Sequence, residues 1–294
     1  MIGFEASLYD AAETVARDAG QELVIGAATS KSQRNVGVSA TNDSLKLPHG
    51  FARLNQVDKG FANHKNHVPS LSRLGVVKFF ASGLLFDNDG VLVDSHAAAK
   101  SAWDAWAIEF SPGYDLDKAN NAGRRAEDMV RELVAAEIFA AANDRINALE
   151  QSSAHLTVPL GGAVELLTGL QAGAAASFWT ICTSANANLG RARLLAAGLP
   201  VPAGLVTGDD VERGKPHPDP YLLGAARLGL APADCVVFED AIAGVEAAAA
   251  AGVGLIVGVS ERALATAADI VVRDLTGITF DGEELLILDS NRLR

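Results

Sequence analysis

The sequence predicts an α/β protein: a Rossmann-like parallel sheet with helices on both faces, plus an inserted all-helical cap. From residue 161 onward, short apolar runs alternate with stretches of helical periodicity, a pattern typical of parallel strands covered on both faces. Residues 96–160 show helical periodicity only. Several apolar runs end in charged or hydroxyl residues, and the carboxyl ends of parallel strands are where such sheets bind ligands.

Composition and charge argue against several classes of function. The chain has 294 residues and a formal net charge of −12. It is long enough for one large domain or two modest ones and too acidic overall for non-specific nucleic-acid binding. No apolar run is long enough to span a bilayer, and the acidic first twenty residues do not resemble a secretory signal. Cys182 and Cys235 lie in apolar runs, which predicts buried reduced thiols and a cytoplasmic protein.

The N-terminal segment differs from the rest of the chain. Residues 1–78 contain a long polar run without sustained periodicity, and we expect this extension to be poorly ordered. The run includes His49, His64 and His67, for which a solvated loop is a simpler interpretation than a metal site. Two interpretations of the segment are open: a regulatory tail, or a stretch outside a native chain that starts near Val76.

The remaining elements follow from periodicity. The first core strand is predicted at 79–86, where an apolar run ends at Asp87. Trp103 and Trp106 share one face of the first cap helix as core anchors, and a second helical stretch covers 127–142 and continues towards 149. The predicted domains are a core at 79–95 and 161–294 and a cap at 96–160. Later strands are predicted at 177–182, 204–207, 235–238, 255–259 and 270–272, with helices at 163–170, 189–197, 220–228 and 242–251.

Two carboxylates follow the first predicted strand directly. Asp87 and Asp89 are one residue apart, and Gly90 then allows the backbone to turn. Two acidic groups in one pocket require a cation between them or a bound proton. The alternative is a solvated Asp-Asn-Asp-Gly turn after a core strand.

Three further polar groups follow later in the chain. Thr183-Ser184 and Glu239-Asp240 each end an apolar strand, and Lys215 lies between a short strand and a helix. In a parallel sheet these ends share one edge, so acids, hydroxyls and a lysine converge there. Such a set suits phosphoryl transfer, which requires positioning and charge stabilisation. Taken singly, the hydroxyls and the acidic pair can instead cap helices, and the lysine can be a surface residue.

Together these motifs resemble the haloacid-dehalogenase-like superfamily over residues 79–294, most closely its helical-cap phosphatases of sugar and polyol phosphates. The resemblance implies that Asp87 is the nucleophile that forms an aspartyl-phosphate. It implies that Asp89 protonates the leaving alkoxide and then takes a proton from water. Members that attack carbon lack this second aspartate, so Asp89 favours phosphate chemistry. Thr183 would bind a phosphoryl oxygen together with Ser184, and Lys215 would offset negative charge.

The resemblance also implies a Mg²⁺ cofactor and a substrate contact from the cap. The ion would take the Asp87 and Asp240 carboxylates and the Asp89 carbonyl, with Glu239 assisting through water. In the cap, Arg125 of Gly123-Arg124-Arg125 is the candidate substrate contact; a solvated arginine at a helix start is the alternative. The flanking Ala122 and Ala126 depart from the family pattern.

The predicted activity is Mg²⁺-dependent hydrolysis of a small phosphomonoester, with no nucleic-acid or membrane partner. Two alternatives remain open at this stage. One is a phosphomutase, which uses the same core but returns the phosphoryl group to a sugar. The other is a non-catalytic protein that senses ligands or regulates partners.

Overall fold

The computed structural model describes residues 70–71, 75–118 and 121–294, all of which lie in the second of two units, Gly60–Arg294. The predictions for residues 1–69, including His49, His64 and His67, fall outside the described residues. The strands are β1 Ser70–Leu71, β2 Val76–Phe80, β3 Gly83–Phe86, β4 Val93–Asp94, β5 Val158–Pro159, β6 Trp179–Ile181, β7 Cys235–Glu239, β8 Leu255–Val259, β9 Ile270–Val272, β10 Thr279–Phe280 and β11 Glu284–Leu288. The helices are α1 His96–Phe110, α2 Ala126–Leu133, α3 Phe139–Ser153, α4 Ala163–Ala172, α5 Ala187–Ala196, α6 Asp219–Leu228 and α7 Ile242–Ala251.

The central sheet has five parallel strands in the order β6-β3-β7-β8-β9, which confirms the predicted parallel sheet. Every residue of β3 and β7 is buried, as expected for strands covered on both faces. Phe86 pairs with Ile181 on one side and with Phe238 on the other. The residues that follow these three strands therefore meet at one edge. The short strand predicted at 204–207 is reduced to a single bridge between Cys182 and Val206.

Alternate residues of the strands pack into two different hydrophobic layers. Leu84 and Phe86 belong to one cluster of buried side chains, and Leu85 belongs to a second with Tyr221 and Val245. This alternation follows from the two-residue period of a strand and places helices on both faces. The two cysteines are free and buried, as predicted, and burial raises the pKa of the Cys182 thiol to about 12.

A second sheet, which was not predicted, has the order β1-β2-β11-β10 with antiparallel pairing throughout. The strand predicted at 79–86 is in fact two strands, because the chain leaves one sheet and enters the other at Ala81 and Ser82. Their amides donate to the Glu283 and Asp234 carbonyls respectively. The predicted limit of the N-terminal extension, residue 78, lies inside β2, which pairs with β11 near the C-terminus.

The insertion between β4 and β5 is helical, as predicted. Its core surrounds Trp103 and Trp106, and the Trp106 Nε1 donates to the Ala142 carbonyl at 2.8 Å. The helix predicted from 127 towards 149 is interrupted, since α2 ends where Val134 takes an extended conformation. The chain passes from core to cap after β4 and returns through β5, and these two short strands pair with each other. Within the described ranges, none of the helices combines the length and apolar character that a membrane crossing needs.

Candidate active site

A buried lysine joins two carboxylates at the carboxyl edge of the central sheet. Asp87 follows β3, Glu239 ends β7, and the Lys215 Nζ lies 2.6 Å from Asp87 Oδ1 and 2.7 Å from Glu239 Oε1. The Lys215 side chain is 0% exposed, so the surface-lysine alternative is wrong. Burial by itself lowers the pKa of Lys215, but the two carboxylates outweigh it and hold the pKa above its usual value. Lys215 is therefore a permanent cation at this edge.

Glu239 organises this cluster through all of its acceptor positions. Its Oε1 accepts hydrogen bonds from Lys215 Nζ and from the Tyr221 hydroxyl, each at 2.7 Å. Its Oε2 accepts from the backbone amides of Asp240 at 2.9 Å and Ala241 at 3.1 Å. A carboxylate has about four acceptor sites, so Glu239 is saturated. Gly244 is required beside it, because a Cβ there would overlap the Glu239 carboxylate.

Asp240 lies beside Asp87, and a carboxylate oxygen of one lies within 4.8 Å of a carboxylate oxygen of the other. The Asp240 Oδ2 is paired with Arg262 at 3.3 Å, and a Cβ on Gly90 would overlap the Asp240 carboxylate. Gly90 has φ +88°, a conformation that glycine adopts without penalty. Burial and the neighbouring charge of Glu239 raise the pKa of Asp240 to about 7.

Three acids of this edge form a cluster that suits a cation. One carboxylate oxygen from each of Asp87, Glu239 and Asp240 lies within 4.8 Å of the others. All three residues are buried, and burial raises the pKa of Asp87 well above its usual value despite the opposing charge of Lys215. Buried carboxylates in excess over cations need a further positive charge or protons. The donor set is all oxygen, which suits a hard divalent cation.

The loop after β3 brings the second aspartate to the same cavity. The Asn88 carbonyl accepts hydrogen bonds from the Leu92 and Val93 amides, which curls the chain so that Asp87 and Asp89 line one wall. The Asp89 Oδ1 accepts from the Ser95 hydroxyl at 2.5 Å and lies 3.1 Å from Arg193 Nη1. Asp89 therefore lies apart from the Lys215 cluster and has its own cationic partner.

The two hydroxyls after β6 have different surroundings. Thr183 is buried, and its Oγ1 accepts from the Ala185 amide at 3.1 Å. The Ser184 hydroxyl donates to the carbonyl of Gly123, in the cap, at 2.6 Å. Helix α5 is capped by Asn186, whose Oδ1 accepts from the Leu189 amide. Neither hydroxyl is the helix cap that the sequence left open as an alternative.

Arg125 lines the cavity but is held by other protein groups. Its Nε and Nη2 donate to the Asp128 carboxylate at 2.7 and 2.8 Å. Its remaining N–H groups donate to the carbonyls of Gly208, Val211 and Glu212, at 3.1–3.3 Å. A guanidinium has five N–H donors, and these five bonds use all of them. Arg125 therefore connects the cap to the 208–212 loop of the core in this conformation.

A cavity of about 700 Å³ lies between the cap and the edge of the sheet. Asp87, Asp89 and Asp240 line it from the core, and Trp103 and Asn143 line it from the cap. Its volume is in the range of small-molecule sites.

Sequence reasoning missed four side chains of this region: Tyr221, Arg193, Glu150 and Arg262. Tyr221, Arg193 and Glu150 lie within helices α6, α5 and α3, and Arg262 lies in the helical turn 261–265 that follows β8. The only available signal was weak: Arg193 follows Leu189 by four residues, on the buried face of α5.

Comparison with known proteins shows the family. Residues 81–252 match the model of the haloacid dehalogenase-like hydrolases. The chain is 43% identical over 173 residues to hexitol phosphatase A of Escherichia coli strain K12, covering 58% of this chain and 79% of the relative. It is 31% identical over 185 residues to glycerol-1-phosphate phosphohydrolase 2 of Saccharomyces cerevisiae, covering 58% and 72% respectively. A solved hydrolase from Pseudomonas syringae matches with a TM-score of 0.55 at 27% identity, over 61% of this chain and 84% of that one. The chain therefore belongs to the haloacid dehalogenase-like hydrolase family, as its four motifs predicted.

Proposed function

We propose that this protein is a Mg²⁺-dependent phosphatase of small phosphorylated metabolites, with sugar or polyol phosphates as the substrate class. One observation carries the proposal. Asp87 is paired with the fully buried Lys215 and lies beside Asp240, and both aspartates line a cavity between the core and the helical cap. A nucleophile, a fixed cation and an acidic metal site at one cavity are what phosphoryl transfer requires.

Asp87 is the nucleophile in this proposal. One of its carboxylate oxygens attacks phosphorus, the bond from phosphorus to the substrate oxygen breaks, and an aspartyl-phosphate forms. Lys215 offsets the charge that gathers on the transferred group, and the buried Thr183 hydroxyl binds one of its oxygens. Water then attacks the aspartyl-phosphate and releases inorganic phosphate.

Asp89 transfers protons in both steps. It gives a proton to the leaving alkoxide in the first step and takes one from the attacking water in the second. Its position on the cavity wall, away from Lys215, supports this division of roles between the two aspartates.

Mg²⁺ fits the acidic cluster. The Asp87 and Asp240 carboxylates and the Asp89 backbone carbonyl would hold it, and it would neutralise charge on the phosphoryl group. Because all four acceptor sites of Glu239 are filled, we assign Glu239 to holding Lys215 and the Asp240 backbone. Assistance to the ion through water would require Glu239 to exchange one of these four hydrogen bonds.

The substrate class rests on the cavity and on the relatives. The cavity that Asp87 lines has a volume of about 700 Å³. The cap residues that line it include the polar side chains Asn143 and Asn147. Hydroxyl-rich phosphates suit such a wall, and two relatives are named for a hexitol and for glycerol 1-phosphate. Arg125 and Ser184 remain candidate substrate contacts; Arg125 can reach a ligand only by exchanging one of its five present hydrogen bonds.

The cap and core are proposed as separate units, with the core at 79–95 and 161–294 and the cap at 96–160. The short β4–β5 pair lies at both crossings and supports these limits. A cap on two adjacent strands can open for substrate entry and close to exclude water.

A phosphatase screen tests the proposal. The purified protein is offered hexitol phosphates, glycerol 1-phosphate, fructose 1-phosphate and nucleotide monophosphates, with and without Mg²⁺, and phosphate release is measured. We expect Mg²⁺-dependent release from sugar or polyol phosphates and none from Asp87→Asn. Retained turnover in Asp87→Asn would refute the mechanism. Formation of an isomeric sugar phosphate without phosphate release would show a phosphomutase, and no turnover with any ester would favour a non-catalytic role.

A further inference from the structure

One buried arginine links the proposed proton-transferring aspartate to the cap. The Arg193 Nη1 lies 3.1 Å from Asp89 Oδ1, and its Nη2 lies 3.2 Å from Glu150 Oε1. The side chains of Arg193 and Glu150 are 6% and 8% exposed, and that of Asp89 is 29% exposed. The ion-pair chain therefore runs from the protein interior to the wall of the cavity.

The three charged groups come from different parts of the fold. Asp89 lies on the loop after β3, Arg193 on α5 of the core, and Glu150 on α3 of the cap. A guanidinium is a rigid planar fork with donors at fixed angles. The contact of Arg193 with Glu150 therefore restricts the direction from which Arg193 contacts Asp89. Moving α3 away from α5 removes one of the two groups that hold Arg193 in place.

This arrangement is not explained by stability alone. Buried ion pairs are often no more stable than apolar residues of similar volume, and the Arg193 Nε is buried with no hydrogen-bond partner among the described residues. Such an arginine is best explained by what it positions.

The contacts on Asp89 are concentrated on one oxygen. Arg193 and the Ser95 hydroxyl both contact Oδ1. Oδ2 accepts a longer hydrogen bond, at 3.4 Å, from the Asn88 Nδ2. A carboxyl group held through Oδ1 leaves Oδ2 as the oxygen available to exchange a proton with the substrate.

We propose that Arg193 is a positioning residue that holds the Asp89 carboxyl group for proton transfer when Glu150 brings the cap into contact with α5. The inference rests on the proposed function, in which Asp89 protonates the leaving group. As the bond between phosphorus and the substrate oxygen breaks, the proton on Asp89 Oδ2 passes to that oxygen, and Asp87 forms its bond to phosphorus. Cap closure and proton transfer are thereby coupled through one side chain.

Esters with different leaving groups test this role. p-Nitrophenyl phosphate releases a phenolate that needs no proton, whereas a sugar or polyol phosphate releases an alkoxide that does. Arg193→Met and Glu150→Gln are compared with unmodified protein on p-nitrophenyl phosphate and on the best sugar or polyol phosphate of the screen. The matched control is Arg191→Met, an exposed arginine on the same helix.

Single-turnover experiments report cleavage of the ester without the later hydrolysis of the aspartyl-phosphate. In them we expect the rate constant for the alkyl phosphate to fall about 100-fold in both variants, the size of effect that a misplaced catalytic group produces. The rate constant for the aryl phosphate should change less than about threefold, since proton donation to the leaving group contributes little there. Hydrolysis of the aspartyl-phosphate should slow equally with both esters, because Asp89 takes a proton from water in that step, and Arg191→Met should behave as unmodified protein. Arg193→Lys, which keeps the charge but lacks the fork, should fold and show the same dependence on leaving group.

Other outcomes overturn the inference. An equal loss in the single-turnover cleavage of both esters would show a merely structural role, and unchanged cleavage of both would show none. If Arg193→Met does not fold, Arg193→Lys and Glu150→Gln decide by the same criterion. Unmodified protein that hydrolyses neither ester would refute the proposed function and the inference together, whereas equal losses in an otherwise active enzyme would refute the inference alone.

Discussion

Replacing Lys215 by methionine removes the one cation that separates two buried carboxylates. Methionine is unbranched and of similar length, so the change in packing is small. The Nζ contacts to Asp87 at 2.6 Å and Glu239 at 2.7 Å are lost together. Glu239 keeps the Tyr221 hydroxyl and two backbone amides, while Asp87 loses its cationic partner.

The expected loss of stability is large. Removing one partner of a buried ion pair lowers the free energy of unfolding by about 3–5 kcal/mol, because the remaining charge is left unpaired. With an m-value of about 2–3 kcal/mol/M, the urea midpoint should fall by about 1–2.5 M. The loss should be smaller at pH 5 than at pH 8, because burial already raises the pKa of Asp87 and a protonated Asp87 needs no cation.

Equilibrium urea unfolding in Mg²⁺-free buffer measures this effect. The matched control is Lys118→Met, since the Lys118 side chain is 84% exposed in its 3.0 Å pair with Asp115, and exposed pairs contribute little. Its midpoint should be unchanged. A Lys215→Met midpoint equal to that of Lys118→Met, or a loss of stability that does not vary with pH, would refute the assigned electrostatics.

Three other predictions concern the metal site and the cap. The pKa of Asp240 is raised to about 7 in the folded, metal-free protein. Between about pH 4 and pH 7 the folded protein therefore holds a proton on Asp240 that the unfolded chain has lost. The contribution of Asp240 to stability thus falls as pH rises through that window. Mg²⁺ needs the carboxylate, so the rise in Tm on adding Mg²⁺ should grow from pH 5.5 to pH 7.5; a Mg²⁺-induced shift that is constant with pH would contradict this. Gly90→Ala should abolish Mg²⁺ binding in calorimetry, because its Cβ overlaps the Asp240 carboxylate. The control Gly198→Ala, with φ +69° and open space around it, should lower stability by only about 1–2 kcal/mol and keep Mg²⁺ binding. Equal Mg²⁺ binding by the two variants would refute the steric argument. Arg125→Met should speed amide hydrogen exchange at residues 208–212, since three carbonyls there lose their donors, and unchanged exchange would show that Arg125 does not hold this loop.

Local sequence patterns were sufficient for the central sheet and for the groups at its edge. An apolar run that ends in a polar residue is readable within a few positions, and parallel strands bring such ends together. Asp87, Glu239 and Asp240 were identified in this way, and Lys215 was identified from its place between a predicted strand and a predicted helix. The structure places all four in one buried cluster. The family resemblance then supplied expected roles for them.

Helix-borne groups could not be identified in the same way. Arg193, Glu150 and Tyr221 contact the site from helices, and which helix face turns towards the sheet depends on packing with distant segments. The division of the strand predicted at 79–86 has the same origin. Ser82-Gly83 is a dipeptide typical of turns, but it lies inside a long apolar run and does not show which sheet each half joins. That is decided by the pairing of β2 with β11, which lies some two hundred residues further along the chain.

The sequence by itself therefore determined the alternation of strands and helices in the central sheet and the residues at its strand ends, because these depend on neighbours along the chain. Only the tertiary structure decided how the charges are paired. Lys215 joins Asp87 to Glu239, Arg193 joins Asp89 to the cap, and Arg125 is occupied by backbone carbonyls of the core. Pairing depends on distances of a few ångströms between segments far apart in sequence, and these are set by the packing of the whole fold.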